Sequence, residues 1–168
     1  MTESPLILTL ALDAELFARL DALRRSHFPP ERNVVPAHVT LFHDVPGGEA
    51  AACERVAAAV ALVPPLVVTV GKPRFLGRGV AFEVDCPGLS GLRKSLAAGW
   101  DAGLTAQDRQ PYRPHCTVMN KADPADARAV FEAFRAAWEP ATGTATGLLL
   151  WRYLGGPWEL AREFAFSG

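Results

Sequence analysis

Cysteine is scarce: Cys53, Cys86 and Cys116 are the only three in 168 residues, an odd number with no CxxC pair. That pattern belongs to a reducing compartment, and it places the protein in the cytoplasm with its thiols as small buried apolar groups. A basic excess is missing too. Lys and Arg number 17 against 18 Asp and Glu, a net charge of −1. A general nucleic-acid coat needs a surplus of cations to neutralise phosphates, so that class is excluded, whereas a small anionic substrate in a locally basic cleft is not. Long apolar runs are absent: "LILTLAL" is far too short to span a bilayer. The start "MTESP" lacks the basic n-region and apolar core of a signal peptide. "LGRG" is too short and wrongly placed for a dinucleotide fingerprint.

What remains is ample for one core. Apolar residues make up 49% of the chain, and the length suits a single domain, residues 1–168, or one domain built of two similar lobes. Proline and glycine divide the sequence. Residues 6–12 are short and β-rich, so they predict a strand. Asp13 is an N-cap, and Leu16, Leu20, Leu23 and His27 follow at helical spacing to about Phe28. A loop "FPPERNVVP" leads to a strand over about 37–43. A helix is predicted over 49–63, stopped by Pro64 and Pro65. A strand over 66–70 and a hairpin through Gly77-Arg78-Gly79 complete the first half.

The order then repeats. A helix over about 89–104 turns Leu92, Leu96 and Trp100 inward, and a loop "TAQDRQPYRP" leads to a strand over 115–119. Asp123-Pro124 is an N-cap and first-turn pair for an amphipathic helix carrying Val130, Phe131, Phe134 and Trp138. Strands over 144–153 and 158–166 close the chain. The helix caps at Asp13 and Gly88 lie 75 residues apart, as do Glu49 and Pro124, while His38 and His115 lie 77 apart. These offsets predict a duplication, two βαβαβ units in tandem. The units run over about 6–76 and 79–154, with a closing strand at 157–166. Side-chain identity between the halves is low, so the pattern repeats and the letters do not.

Each half carries one His-x-Thr. "PAHVTL" places His38 and Thr40 on one face of its strand, with Val39 and Leu41 on the other; "RPHCTV" does the same with His115 and Thr117 against Cys116 and Val118. A polar His/Thr face on an otherwise apolar strand predicts a cleft lining. Two histidines facing one another suit one chemistry. Phosphodiester cleavage needs a base for the attacking oxygen and, in line on the far side, an acid for the leaving oxygen. Histidine, with an unperturbed pKa of about 6.5, serves either role near neutrality. Threonine hydroxyls can donate to the non-bridging oxygens. This chemistry requires no metal.

The paired "HVTL" and "HCTV", half a chain apart, resemble the motifs of the two-histidine phosphoesterase superfamily. The bacterial 2′-5′ RNA ligase-like branch, in which the stretch "RPHCTVMNK" is typical of small members, is the most similar. The resemblance covers nearly the whole chain. It implies an α+β fold, a bilobed pseudo-twofold duplication with two antiparallel sheets flanking a central cleft and helices outside, with no metal and no cofactor. It also implies hydrolysis of 2′,3′-cyclic phosphates or related cyclic phosphodiesters, with reversible 2′-5′ RNA joining in some members. The partner is then a small nucleotide or an RNA terminus bearing a cyclic phosphate. No membrane and no obligate protein partner are implied, and a monomer is expected. By this resemblance His38, Thr40, His115 and Thr117 take the catalytic positions, with His115 as base and His38 as acid. Many relatives place an arginine where Asn120 stands here, which leaves Lys121, next in line, as the cation on that side.

Other residues carry weaker signals. Tyr112 is placed to stack on a nucleobase and Arg113 to meet phosphate, although an ordinary surface loop accounts for both equally well. Arg74 and Arg78 flank the hairpin and are within reach of a cleft rim. His27 and His43 are expected to be structural, His43 because strand parity turns it to the apolar side. The tryptophans Trp100, Trp138, Trp151 and Trp158 are expected in the core. Two rivals remain. A metal hydrolase would need three or four converging ligands, drawn from His38, His43, Asp44 and His115. A nucleotide or RNA-end binding module would use the same cleft without turnover.

Overall fold

Asp13 opens the first helix and fixes it to the sheet with one carboxylate. Its Oδ1 accepts from the Leu16 amide at 2.9 Å and its Oδ2 from the Thr144 amide at 2.6 Å, which satisfies an orphan donor of the helix start. The strand approaches so closely that a Cβ on Gly143 would lie 2.6 Å from that Oδ2. Only glycine fits there. Asp123 caps another helix in the same way, accepting from the Ala125 amide at 2.9 Å, with Pro124 in the first turn.

The computed structural model describes residues 3–167. In chain order they form β1 (Leu6–Leu12), α1 (Ala14–His27), β2 (Thr40–Phe42), α2 (Glu49–Val60), β3 (Leu66–Phe75), β4 (Val80–Asp85), α3 (Leu89–Trp100), β5 (His115–Met119), α4 (Pro124–Ala137), β6 (Ala141–Tyr153) and β7 (Trp158–Ala165). The helix starts predicted at Glu49, Leu89 and Pro124 and the bounds of β5 agree with these. The strand predicted over 37–43 shortens to Thr40–Phe42, because the lead-in pairs only through an isolated bridge and the amide of Leu10 donating to the Val39 carbonyl at 2.9 Å.

All strand pairs are antiparallel, in the order β2-β1-β6-β3-β4-β5, with β7 also on β6. Read inward from each end, β2-β1-β6 and β5-β4-β3 occupy equivalent places, with the third strand of each half exchanged into the other. The fold is therefore α+β and bilobed, and the two expected sheets are the halves of one curled sheet. They diverge at β6. Along one edge β6 pairs with β1; along the other it pairs first with β3 and then with β7. The far ends meet again at the bridge between Val39 and Cys116.

Burial follows strand alternation. Val39, Leu41, Cys116 and Val118 are at most 1% exposed, while His38, Thr40, His115 and Thr117 between them are half-buried. Leu8, Leu20, Phe42, Phe82, Leu89, Leu96, Leu148 and Leu150 fill the core beside them, each worth about 2 kcal/mol of burial. Among the described residues no helix is long and apolar enough to cross a membrane.

Candidate active site

The bridge between Val39 and Cys116 sets the register of the two motifs. One residue to either side, His38 stands opposite Thr117 and Thr40 opposite His115. Directly opposed side chains in an antiparallel pair lie about 5 Å apart, so each histidine has the other motif's threonine as its cross-strand neighbour. All four line one cavity of about 170 Å³, together with Ile7, His43 and Trp158.

Each imidazole is tied by the same local bond. Nδ1 of His38 donates to the Pro36 carbonyl at 2.8 Å, and Nδ1 of His115 to the Arg113 carbonyl at 2.9 Å. A carbonyl only accepts, so Nδ1 carries the hydrogen in both rings and Nε2 is left for proton transfer. The surroundings are less alike. His38 packs against Trp158 with ring centroids 4.6 Å apart. Burial drives its pKa down to about 4; the Pro36 carbonyl opposes this, while Arg24, His115 and His43 add to it. Burial also lowers His115, against its bond to the Arg113 carbonyl, with Arg74, His43 and Arg113 contributing.

The motif strands are braced across the pseudo-twofold. Arg24 of α1 is 4% exposed; its Nη1 donates to the Thr117 carbonyl at 3.0 Å and its Nε to Asn33 Oδ1 at 2.8 Å. In the other direction, Arg93 of α3 donates from Nε to the Leu41 carbonyl at 2.9 Å, and the Tyr112 hydroxyl donates to the Thr40 carbonyl at 2.9 Å. Burial pushes the Tyr112 phenol well above its usual pKa, which keeps it a donor. Each threonine thus has its backbone fixed from the opposite half while its hydroxyl faces the cleft. Arg24 continues the i, i+4 series Leu16, Leu20, and that spacing was the sequence signal for its burial.

His43 departs from expectation. Strand parity fails because the register slips at Leu41: Thr40 pairs with Thr9 but Phe42 with Leu8, so Phe42 already lies in the core and His43 turns to the cleft. Its Nδ1 donates to Asp108 Oδ1 at 2.9 Å, and the amides of His43 and Asp44 donate to the same carboxylate at 2.9 to 3.0 Å. Asp108 is 2% exposed. Burial alone would raise its pKa, but these bonds more than offset that and hold it below the usual carboxylate value. Nothing in the loop "TAQDRQPYRP" distinguishes Asp108 as a site residue. Trp158 also departs from expectation: it walls the cavity instead of joining the core, whereas Trp100 is 7% exposed.

A second cavity, of about 410 Å³, adjoins the first through Thr40, His43 and His115, and its lining includes Arg74, Arg93, Tyr112 and Arg113. The structure therefore brings Tyr112 and Arg113 to the cleft, though Tyr112 does so as a brace and with the Arg93 guanidinium 4.7 Å over its ring. Arg78 and Lys121 stand outside both linings. The Arg78 Nε donates to the Ala122 carbonyl at 2.9 Å, and Lys121 sits exposed in a turn at φ 57°. His27 lies elsewhere, edge-on to Phe134 at 5.1 Å. Among the described residues no group of three or more His, Cys, Asp and Glu side chains converges as a metal-holding set.

Known structures share this fold. TT0787 of Thermus thermophilus superposes with a TM-score of 0.67 at 17% identity, over 98% of each chain. E. coli LigT complexed with 3′-AMP superposes with a TM-score of 0.67 at 21% identity, over 99% of this chain and all of its own. A crystal structure of a phosphoesterase gives 0.66 at 22% identity over 99% of this chain. No curated protein sequence matches. The model of the 2′-5′ RNA ligase superfamily matches residues 12–157, and with that match across most of its length the chain belongs to this superfamily.

Proposed function

We propose that the protein is a phosphodiesterase that opens 2′,3′-cyclic phosphates, on nucleotides or RNA ends, by acid–base catalysis with two histidines and no metal. The observation that carries this reading is the crossed arrangement, two imidazoles tied alike at Nδ1, each opposite the other motif's threonine in one small cavity. One Nε2 takes a proton from water as its oxygen attacks phosphorus. The other gives its proton to the ribose oxygen that leaves, so the cyclic diester becomes a monoester with a free hydroxyl. Thr40 and Thr117 donate to the non-bridging oxygens. With a ribose hydroxyl in place of water, the same groups would join RNA 2′-5′. E. coli LigT has been crystallised with 3′-AMP, ATP and NADP+, which supports nucleotides as the ligand class here. We place the protein in the cytoplasm, consistent with its three free cysteines.

The test is turnover of a panel of 2′,3′-cyclic nucleotides, ADP-ribose cyclic phosphate and 2′-5′ dinucleotides in excess EDTA. Hydrolysis of at least one member is expected to survive the chelator. Activity lost in EDTA and restored by zinc or manganese would sink the two-histidine mechanism, and binding without turnover would make the cleft a recognition module.

The family resemblance assigns the base to His115 and the acid to His38. Burial of His38 favours the reverse. A histidine with its pKa at about 4 is neutral at pH 7 and ready to accept a proton, and His115 is the ring left to donate. The pH profile of kcat/KM is expected to be a bell set by the coupled pair. Activity rises near pH 4 as His38 loses its proton, then falls below the ordinary histidine value of about 6.5 as His115, also lowered, loses its own. A rising limb at or above pH 6.5 in the free enzyme would contradict this.

A further inference from the structure

The histidine cavity is too small for the molecule it is proposed to cleave. At about 170 Å³ it falls below the roughly 300–1,000 Å³ of small-molecule sites and holds little beyond the reacting phosphoryl group. The rest of the substrate must extend into the adjoining cavity of about 410 Å³. The two flanks of the reacting centre differ in chemistry. Ile7 and Trp158 present an apolar, aromatic wall on one. Arg74, Arg93 and Arg113 line the other. The carboxylate there, Asp108, is 2% exposed and already takes three N–H donors.

The cations have different duties. Arg93 is committed to the fold: Nε and Nη2 donate to the Leu41 and Asp108 carbonyls at 2.9 and 2.7 Å. Arg113 meets Glu83 at 3.6 Å as an exposed pair, an arrangement worth little and readily exchanged for a ligand. His43 stands where the cavities join. Asp108 accepts from Nδ1 and so orients the ring, leaving Nε2 for a ligand and making it a donor in the imidazolium form.

We infer that the larger cavity takes a second phosphoryl group, borne on the ribose 5′ oxygen of the nucleotide whose cyclic phosphate lies between His38 and His115, with Arg74, Arg113 and the Asp108-held His43 as its partners. This rests on the cyclic-phosphodiester reading of the same cleft. That 5′ oxygen is the position a nucleoside cyclic phosphate has left to carry phosphate, either as a free monoester or as the link to the preceding nucleotide of an RNA.

The experiment compares kcat/KM for three substrates: adenosine 2′,3′-cyclic phosphate, its 5′-phosphorylated form, and a dinucleotide ending in the cyclic phosphate. A 5′ phosphoryl group is expected to raise kcat/KM about tenfold or more, the return of one charge-assisted hydrogen bond. A gain confined to the monoester marks a small nucleotide, and an equal or larger gain for the dinucleotide marks an RNA end. In Arg74→Gln and His43→Gln the gain should shrink toward one, and any effect on the common chemical step divides out of this ratio. A wild-type ratio near one overturns the inference and leaves the cyclic phosphodiesterase standing, as does a gain that persists unchanged in both variants. If no cyclic substrate turns over, calorimetry with adenosine 3′-monophosphate and adenosine 3′,5′-bisphosphate decides. Tighter binding of the bisphosphate, lost in Arg74→Gln and partly kept in Arg74→Lys, upholds the subsite; equal binding of the two nucleotides overturns it.

Discussion

His38→Ala and His115→Ala are each expected to lower turnover of a 2′,3′-cyclic nucleotide by about 10²–10⁴-fold, the usual return of a positioned acid or base. The double variant should lose little more, because the pair acts as one unit. The two singles part company on a phosphodiester whose leaving group is nitrophenolate, which departs without a proton. Removing the acid should then cost far less than on a ribose leaving group, while removing the base should cost the same on both. With half-buried His38 packed against Trp158 and its pKa at about 4, His115→Ala is the variant expected to be rescued. Rescue of His38→Ala instead would restore the assignment implied by the family resemblance. Wild-type rates in both singles on the cyclic nucleotide would end the two-histidine mechanism for this protein.

Thr40→Val and Thr117→Val are each expected to lower kcat by about 10²-fold or more, as when one donor to a developing oxyanion is removed. Valine keeps the shape and suits a strand at least as well. The contacts that brace each position are to its backbone, from Tyr112 at Thr40 and Arg24 at Thr117, so they survive the substitution. Melting temperatures should therefore stay near wild type while the rate falls. Rates near wild type in both variants would reduce the two threonines to strand formers.

Much of this arrangement was legible in the sequence. Alternation along "HVTL" and "HCTV" correctly separated the cleft face from the core face, because a strand's period of two leaves no freedom once one face is buried. The helix starts were legible from their caps and spacing. What escaped were residues whose place depends on an irregular register or on a contact distant in sequence. His43 lies beyond a register slip at Leu41, where Thr40 pairs with Thr9 and Phe42 with Leu8, and one extra residue reverses the faces that follow. Asp108 reaches the site through a loop, and its partners are 64 and 65 residues away in sequence, so no local pattern could reveal it. Arg24 is the intermediate case. Its spacing put it on the buried face of α1, and only its charge argued against that.

The exchange of third strands between the halves bears on how the protein comes to fold at all. β1 pairs with β6, Leu6 lying opposite Arg152, so the first strand of the sheet waits for the last but one. β3, which ends the first half, likewise finds its partners in β4 and β6. A growing chain that has reached only the turn at Gly77 therefore holds helices and open strand edges, with no sheet half complete. Contacts of this sequence separation slow folding, since the entropy of closing the long loop is lost before any pairing repays it. The nascent first half is then the state most exposed to wrong strand partners, and the cleft between the two motifs cannot form until β6 has been synthesised.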